Sequence, residues 1–381
     1  MIVRITIITE SFPPLVNGVA HCVQRVAHHL VSRGHSLQVI APRPPGSLPS
    51  PDSELPYEVL RVPSVPMPGY ATFRIAVPAV HLRPALTRHH TELVHLASPF
   101  LLGAGGALAA KRLGLPTIAV YQTDMPSYAR AYHCGRAGQA IAWRRVQKIH
   151  NAAVRTLAPS SAAATSLHAH GIERVWIWGR GVDIAMFDPA RRREQLHAEL
   201  APDGQTLVGY VGRIAPEKRV DLLTEVAALP GVRLVIVGSG PAEAAVRRAI
   251  PGAVFLGQRH GADLASIYAS LDLFVHSGPH ETFGQTLQEA AASGLPVIAP
   301  AAGGPLDLVD DGVTGFLVAP DDAGTLARAV ARLAADPGLR AAQGRAGRQR
   351  VLGRTWQALG DELIGHYEAV LEMTRAVEVP S

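Results

Sequence analysis

Cysteine is nearly absent from this chain: Cys22 and Cys134 are the only two among 381 residues. Two cysteines cannot build a disulfide framework. They fit a reducing compartment, each as a free thiol in a core. Aromatic residues make up 5% of the chain, too few for a base-stacking platform, so nucleic acid is not expected as a partner. No Asp-x-Asp sequence occurs. No run of eighteen uncharged apolar residues is present, so no membrane-spanning helix is expected. Met1–Thr9 is short and closely followed by Glu10-Ser11-Phe12-Pro13-Pro14, which reads as a first strand and not as a signal peptide. The expected place is the cytoplasm, with peripheral contact at the inner face of the membrane left open.

Acidic residues are scarce in one half. Residues 1–180 carry 18 Lys and Arg against 7 Asp and Glu, a balance of +11, whereas residues 181–381 carry 18 against 24, or −6. Twelve of the seventeen histidines also lie in the first part. A basic half beside an acidic one points to an anionic partner for the first, such as an acidic membrane surface or a phosphorylated acceptor. The alternative is a basic soluble domain with no such partner. With 48% hydrophobic and 18% charged residues, the chain can bury the cores of two ordinary domains.

Apolar β-branched runs alternate with amphipathic stretches along the sequence. Strands are expected at Ile2–Thr9, Leu37–Ala41, Leu93–Leu96, Thr117–Tyr121 and Arg155–Ala158. Helices are expected at Val19–Ser32 and Ser160–His170. The stretch from Pro42 to Pro68 holds nine prolines and reads as an irregular surface loop. Residues 180–191 break the pattern as a connector. It restarts with strands at Thr206–Val211, Val232–Val237, Val254–Leu256, Leu271–Val275 and Val297–Ala299. Helices follow at Arg219–Leu229, Ala242–Ala249, Gln285–Ser293 and Ala323–Ala335. Repeated strand–helix order implies parallel sheets covered on both faces. Two such units joined near residue 185 would bind ligands at the carboxyl ends of their strands.

Three segments carry chemistry. In His280-Glu281-Thr-Phe-Gly284-Gln-Thr-Leu-Gln-Glu289 two carboxylates lie eight residues apart with a glycine between them. A helix starting near Gly284 would turn its N–H groups toward an anion. At about 1.5 Å per helical residue, eight positions span roughly 12 Å, comparable to a diphosphate with a sugar on each end. Gly212-Arg213-Ile-Ala-Pro-Glu217-Lys218 places two cations on one strand-to-helix loop. The guanidinium suits a diphosphate as a fork and the ammonium as a point charge; the alternative is a solvated loop with an ion pair through Glu217. Asn17-Gly18-Val19 links the first strand to the first helix, where Gly18 would let a phosphate or sugar approach the backbone. His276 and His280 are separated by Ser277-Gly278-Pro279, so a helical metal-ligand pair is not expected. Gly238-Ser-Gly240 lacks the third glycine of a dinucleotide fingerprint.

Taken together these segments resemble the retaining glycosyltransferases of family 4. Gly181-Val182-Asp183, Gly303-Gly304-Pro305 and the Asp310–Leu317 turn agree with the same pattern. The resemblance implies a GT-B fold, two Rossmann-like α/β domains facing each other across a cleft. The first would span 1–185 and bind the acceptor, the second 186–355 and bind the donor, with a C-terminal helix at about 356–381 packing back on the first. Glu10–Pro14, Tyr121-Gln122-Thr123-Asp124 and Trp178–Asp183 look most like actinobacterial GDP-mannose-dependent α-mannosyltransferases.

That resemblance implies a role for each matching residue. Arg213 and Lys218 would neutralise the leaving diphosphate, and Gly18 and Gly212 would approach it through the backbone. Glu281 would bind donor-sugar hydroxyls and Glu289 the ribose. Phe283, Gly284, Gln285 and Thr286 would supply contacts at the helix start, and Arg259 would fall beside the nucleobase. Asn17, Tyr121 and Gln122 would lie toward the acceptor. Many relatives carry histidine where Gln122 stands; glutamine cannot act as a base near neutral pH. Asp124 is then the nearest carboxylate to orient the acceptor or take its proton, or else it caps a helix. The expected substrates are GDP-mannose or another nucleotide-sugar and a lipid-linked or phosphorylated polyol acceptor, with no cofactor and no metal. A UDP-sugar donor and a nucleotide-sugar 2-epimerase are the alternatives.

Ala140–Arg155 holds Trp143, Val146, Ile149 and Ala153 at helical spacing, with Arg144, Arg145, Lys148 and Arg155 elsewhere on the turn. With Arg74, Arg83, Arg88, His89 and His90 it could face anionic lipid; the alternative is a core helix with a solvated basic face.

Overall fold

A computed structural model describes residues 2–15, 17–44, 51–67, 70–76, 81–97, 100–124 and 135–378. The chain divides into two units: residues 1–180 with 356–381, and residues 181–355. The division falls five residues before the boundary expected from the connector. Cys134 lies outside the described residues, and Cys22 is buried.

The first unit is built on a seven-stranded parallel sheet. Its strands are β1 (Arg4–Ile8), β2 (Ser36–Pro42), β3 (Glu58–Val62), β6 (Leu93–Leu96), β7 (Thr117–Val120), β8 (Arg155–Ala158) and β9 (Val175–Ile177), with β4 (Ser64–Met67) and β5 (Tyr70–Ala76) forming a separate antiparallel pair. The order is β3-β2-β1-β6-β7-β8-β9. Alternation along β1 sends Ile5 and Ile7 into one core and Ile8 into the other, so both faces are covered, as a parallel sheet requires. The first helix, Gly18–Ser32, starts where the Asn17 side chain accepts from the N–H groups of Val19 and Ala20.

The proline-rich stretch is more ordered than its composition implies. It holds a short 3₁₀ turn at Pro51–Glu54 and then β3, which pairs in parallel with β2. Pro56 and Pro63 bracket β3 without entering it, and the run Glu58-Val-Leu-Arg-Val62 is free to pair at the sheet edge.

The helix Trp356–Glu378 belongs to this first unit. Leu363, Tyr367 and Val370 are buried in the same core as β1 and the Gly18–Ser32 helix. Trp178 Nε1 donates to the Leu359 carbonyl at 2.9 Å, and the Tyr367 hydroxyl lies 2.6 Å from His95 Nδ1 on β6. The C-terminal residues thus close a core begun at residue 3.

The second unit has a six-stranded parallel sheet made of β10 (Thr206–Val211), β11 (Val232–Val237), β12 (Val254–Gly257), β13 (Leu273–Val275), β14 (Val297–Pro300) and β15 (Gly315–Val318), in the order β12-β11-β10-β13-β14-β15. The chain winds outward from β10 in one direction and from β13 in the other. The loops leaving these two strands therefore flank the topological switch point, where open α/β sheets bind ligands. The expected helix over Arg219–Leu229 is broken. Arg219 sits in the left-handed region at φ 47°, with 3₁₀ turns at Pro216–Lys218 and Val220–Leu223 on either side, and only Thr224–Ala227 is α-helical. Ion pairs from Arg219 to Asp221 and Asp321 accompany this strained residue. Two helices that the sequence pattern did not single out, Gly261–Ser270 and Pro337–Val351, complete the layer. Among the described residues no helix is long and apolar enough to cross a membrane.

Because Leu363 is fully buried, Leu363→Ala should destabilise the protein by about 2–5 kcal/mol. The exposed Met373→Ala should change stability by no more than about 0.5 kcal/mol. Urea titration followed by tryptophan fluorescence compares the two.

Candidate active site

The switch point of the second unit is lined by the loop after β10, residues 212–218, and the loop after β13, residues 276–284. A side-chain contact joins them, and the loop after β14 supports the second. The Ser277 hydroxyl donates to the Lys218 carbonyl at 2.9 Å. The Glu281 carbonyl accepts from the Gly304 N–H at 2.8 Å. A Cβ on Gly304 would stand 2.0 Å from the Phe283 carbonyl oxygen, so a glycine is required where the loop after β14 supports the glutamate loop. Gly284, at φ 102°, makes the turn into the helix Gln285–Ala292 in a conformation that side chains rarely adopt.

Each cation expected to hold a diphosphate is already matched by a carboxylate. Lys218 Nζ is in contact with Glu281 Oε1. Arg213 lies 3.4 Å from Glu217, whose side chain is buried. The Arg213 carbonyl is fixed by the Tyr210 hydroxyl at 3.0 Å. These are partly buried pairs and not the solvated surface pair that composition alone allows. Burial by itself would push the Glu281 carboxyl up, but the Lys218 ammonium and the His276 contact overrule it and hold it well below the usual carboxylate range.

Glu289 has the opposite environment. Its carboxyl is buried on the Gln285–Ala292 helix, and the Tyr268 hydroxyl is 3.3 Å from Oε2. Burial pushes it up to about 7, with hydrogen bonds from Tyr268 and Gln285 pulling the other way. Of the eight steps from Glu281 to Glu289 only the last few are helical, since the helix begins at Gln285. Glu281 therefore stands on the loop, and the 12 Å helical spacing does not describe the pair.

The other expected donor contacts fall as follows. Gly212 and Arg213 leave β10 directly, with the Gly212 N–H on the Val237 carbonyl at 3.0 Å. Phe283 is buried in the core. Gln285 donates to the Gly181 carbonyl at 3.1 Å, and Thr286 is half-buried on the same first turn. Arg259 is exposed just beyond β12, the outermost strand.

In the first unit the equivalent switch point lies between β1 and β6, and it is filled from within. Glu10, on the loop after β1, is buried and accepts from the N–H groups of Leu102 and Gly103 at the start of the helix Leu101–Arg112. A carboxylate occupies the end of the helix that would otherwise attract an anion. Burial pushes Glu10 up to about 7 against those hydrogen bonds and Arg145. Nearby, the Asn17 amide nitrogen donates to the Ser11 hydroxyl at 2.6 Å while its oxygen caps the first helix. Gly18 stands against the buried Arg180, which donates to the Gly18 carbonyl at 3.4 Å. The Tyr121 hydroxyl donates to Asp124 at 3.0 Å, and Gln122 is buried beside them. The residues a helix at Asp124 would need, 125–134, lie outside the described ones. Sequence reasoning set aside His276 and overlooked Tyr210, Tyr268 and the capping role of Glu10. The one available signal was the position of His276 and Glu10 immediately after strands that border a switch point.

Residues 16–186 match the family described as Glycosyltransferase Family 4, and residues 191–350 match Glycosyl transferases group 1. A GDP-mannose-dependent alpha-mannosyltransferase of Mycobacterium tuberculosis is 50% identical over 370 residues, which is 97% of each chain. The chain belongs to glycosyltransferase family 4. A second GDP-mannose-dependent alpha-mannosyltransferase, from Corynebacterium glutamicum, is 40% identical over 98% of this chain and 91% of its own. Among solved structures, Anabaena Alr3699/HepE in complex with UDP and glucose has a TM-score of 0.77 at 21% identity, over 96% of this chain and 99% of that one. Sucrose-phosphate synthase from Thermosynechococcus elongatus reaches 0.78 at 22%, over 97% and 99%. These likenesses carry the fold, which is GT-B, and the family 4 chain is a hexosyltransferase.

The Glu289 environment makes a pH prediction. Its carboxyl is raised in the folded protein from 4.5 to about 7. The folded state therefore favours the protonated form, and stability is lost as pH rises between those values. Glu289→Gln should remove that loss, so the variant gains on the wild type by roughly 3 kcal/mol between pH 4.5 and pH 8. Glu10 has the same sign and leaves a residual slope. Urea midpoints at the two pH values measure the gain.

Proposed function

We propose that this hexosyltransferase moves α-mannose from GDP-mannose, with retention of configuration, onto a lipid-linked or phosphorylated polyol acceptor. The near full-length identity to proteins named for that donor supports the reading most directly. In it, Arg213 and Lys218 turn from Glu217 and Glu281 toward the diphosphate. Glu281 then holds hydroxyls of the sugar, Glu289 holds the ribose, and Arg259 lies beside the base.

The bond from the sugar's anomeric carbon to the phosphate oxygen breaks, and GDP departs with the electron pair. The acceptor hydroxyl attacks the same face, and its proton passes to the leaving phosphate oxygen. No side chain acts as a covalent nucleophile. The rate therefore rests on stabilising charge as it builds on the diphosphate. Arg213 and Lys218 are placed on one short loop for that task, and no metal or cofactor is part of this reading. Asp124, held by Tyr121, orients the acceptor hydroxyl together with Gln122 and Asn17.

The acceptor reading draws on the charge of the first unit. Its helix Gly135–Ala152 contains no acidic residue and exposes Arg136, Ile141, Arg144 and Lys148. Val146, Ile149 and His150 turn into the core. A cationic face beside the exposed Ile141 suits an anionic lipid surface.

Incubation with labelled GDP-mannose, UDP-glucose or UDP-N-acetylglucosamine, with and without total membrane lipid, tests this reading. Label should enter the lipid phase from GDP-mannose alone. Label transferred only from a UDP-sugar, or an epimer formed without acceptor, would contradict it. Arg213→Ala and Lys218→Ala should each lower turnover on the order of 10²–10³-fold; near-normal turnover in both would remove the diphosphate assignment.

A further inference from the structure

Two side-chain nitrogens from different elements converge on one oxygen of Glu281. Lys218 Nζ, from the loop after β10, touches Oε1. His276 Nε2, from the first residue beyond β13, lies 3.2 Å from that same oxygen. The two contacts differ in quality. The His276 ring makes no hydrogen bond of ordinary geometry at either nitrogen among the described residues, so its approach to Glu281 is close but not aligned. The histidine is 2% exposed and anchored, with its backbone N–H on the Ile298 carbonyl at 2.8 Å. Its ring lies nearly parallel to Tyr210, 6.3 Å between centroids at 11°, and Tyr210 in turn fixes the Arg213 carbonyl.

A buried imidazole left without an aligned partner is costly unless one is supplied at some stage. The diphosphate reading supplies that stage. When Lys218 turns to the phosphate, Glu281 loses its counter-charge in a partly buried site, and an ionised carboxylate left alone there is strongly unfavourable. We propose that His276 is a positioning residue that takes over Glu281 when Lys218 leaves it for the donor diphosphate. It then holds the carboxylate in place for the sugar. This rests on the reading of Lys218 as a diphosphate ligand. A small rotation of the carboxylate toward Nε2 completes the exchange, so that Glu281 has a nitrogen partner before and after Lys218 leaves. The groups that surround the exchange are Lys218, Glu281, Tyr210 and, through Tyr210, the Arg213–Glu217 pair.

The test is calorimetric titration of GDP and of guanosine into wild type, His276→Ala, His276→Gln, Glu281→Ala and the Glu281→Ala/His276→Ala double variant. His276→Ala should weaken GDP about tenfold and leave guanosine within about twofold, because only the phosphate displaces Lys218. Glutamine can donate an amide N–H to Glu281 and should recover most of the lost affinity. In the Glu281→Ala background, removing His276 should change GDP affinity by less than about twofold, since nothing remains to be handed over. A structural role alone would weaken GDP equally in both backgrounds and overturn the proposal. Wild-type GDP affinity in His276→Ala would also overturn it. A wild-type protein that binds guanosine but gains nothing from the diphosphate would remove the Lys218 reading itself, and the exchange with it.

Discussion

The contact between Lys218 and Glu281 is the interaction that fixes the charged side chains at the second unit's switch point. It joins the two loops that leave the sheet at its switch point, one from β10 and one from β13. An isolated lysine in so enclosed a place would be driven toward its neutral form, and an isolated glutamate likewise. Here Lys218 holds the Glu281 carboxyl well below the usual carboxylate range, and the two side chains fix each other's position. The same logic repeats in the Arg213–Glu217 pair. A pair that is worth little in net stability can still set where its two charges stand.

The two units place different charged groups at the same topological position. Both have doubly wound parallel sheets, and both bring a loop after the first strand to the switch point. In the second unit that loop carries Arg213 and Lys218. In the first it carries Glu10, whose carboxyl caps the Leu101–Arg112 helix from inside. The helix end that could hold an anion there is already satisfied. The diphosphate assignment thus falls on the switch point whose loop carries cations, although the first unit is the more basic overall. Its positive charge lies instead on exposed helix faces such as Arg136, Arg144 and Lys148. Net charge of a domain and charge of its site are separate quantities.

Much of this was legible from residue order. Strand–helix alternation gave both parallel sheets, because strands buried on two faces read as unbroken apolar runs. The Gly284 turn was legible because an αL position before a helix selects glycine. β3 was hidden by the prolines around it, whose effect is local and stops short of Glu58–Val62. The break at Arg219 was hidden because its left-handed backbone coincides with ion pairs to Asp221 and to Asp321, the latter about a hundred positions away. The cations and carboxylates were all visible as candidates, but their pairing was not. Lys218 and Glu281 are 63 residues apart, and only the β10–β13 adjacency brings them together. His276 was legible as a histidine after a strand and was weighed only as a metal ligand. Its place beside Glu281 depends on the turn at Ser277-Gly278-Pro279.

The central claim is that the second unit holds a nucleotide through its diphosphate, with Lys218 released from Glu281 to do so. Comparing the dissociation constants of GDP and guanosine for wild type and for Lys218→Ala tests it most directly. Wild type should prefer GDP by at least about a hundredfold, and Lys218→Ala should erase most of that preference while guanosine binding is retained. Equal affinity for GDP and guanosine in wild type, or an undiminished preference in Lys218→Ala, would contradict it.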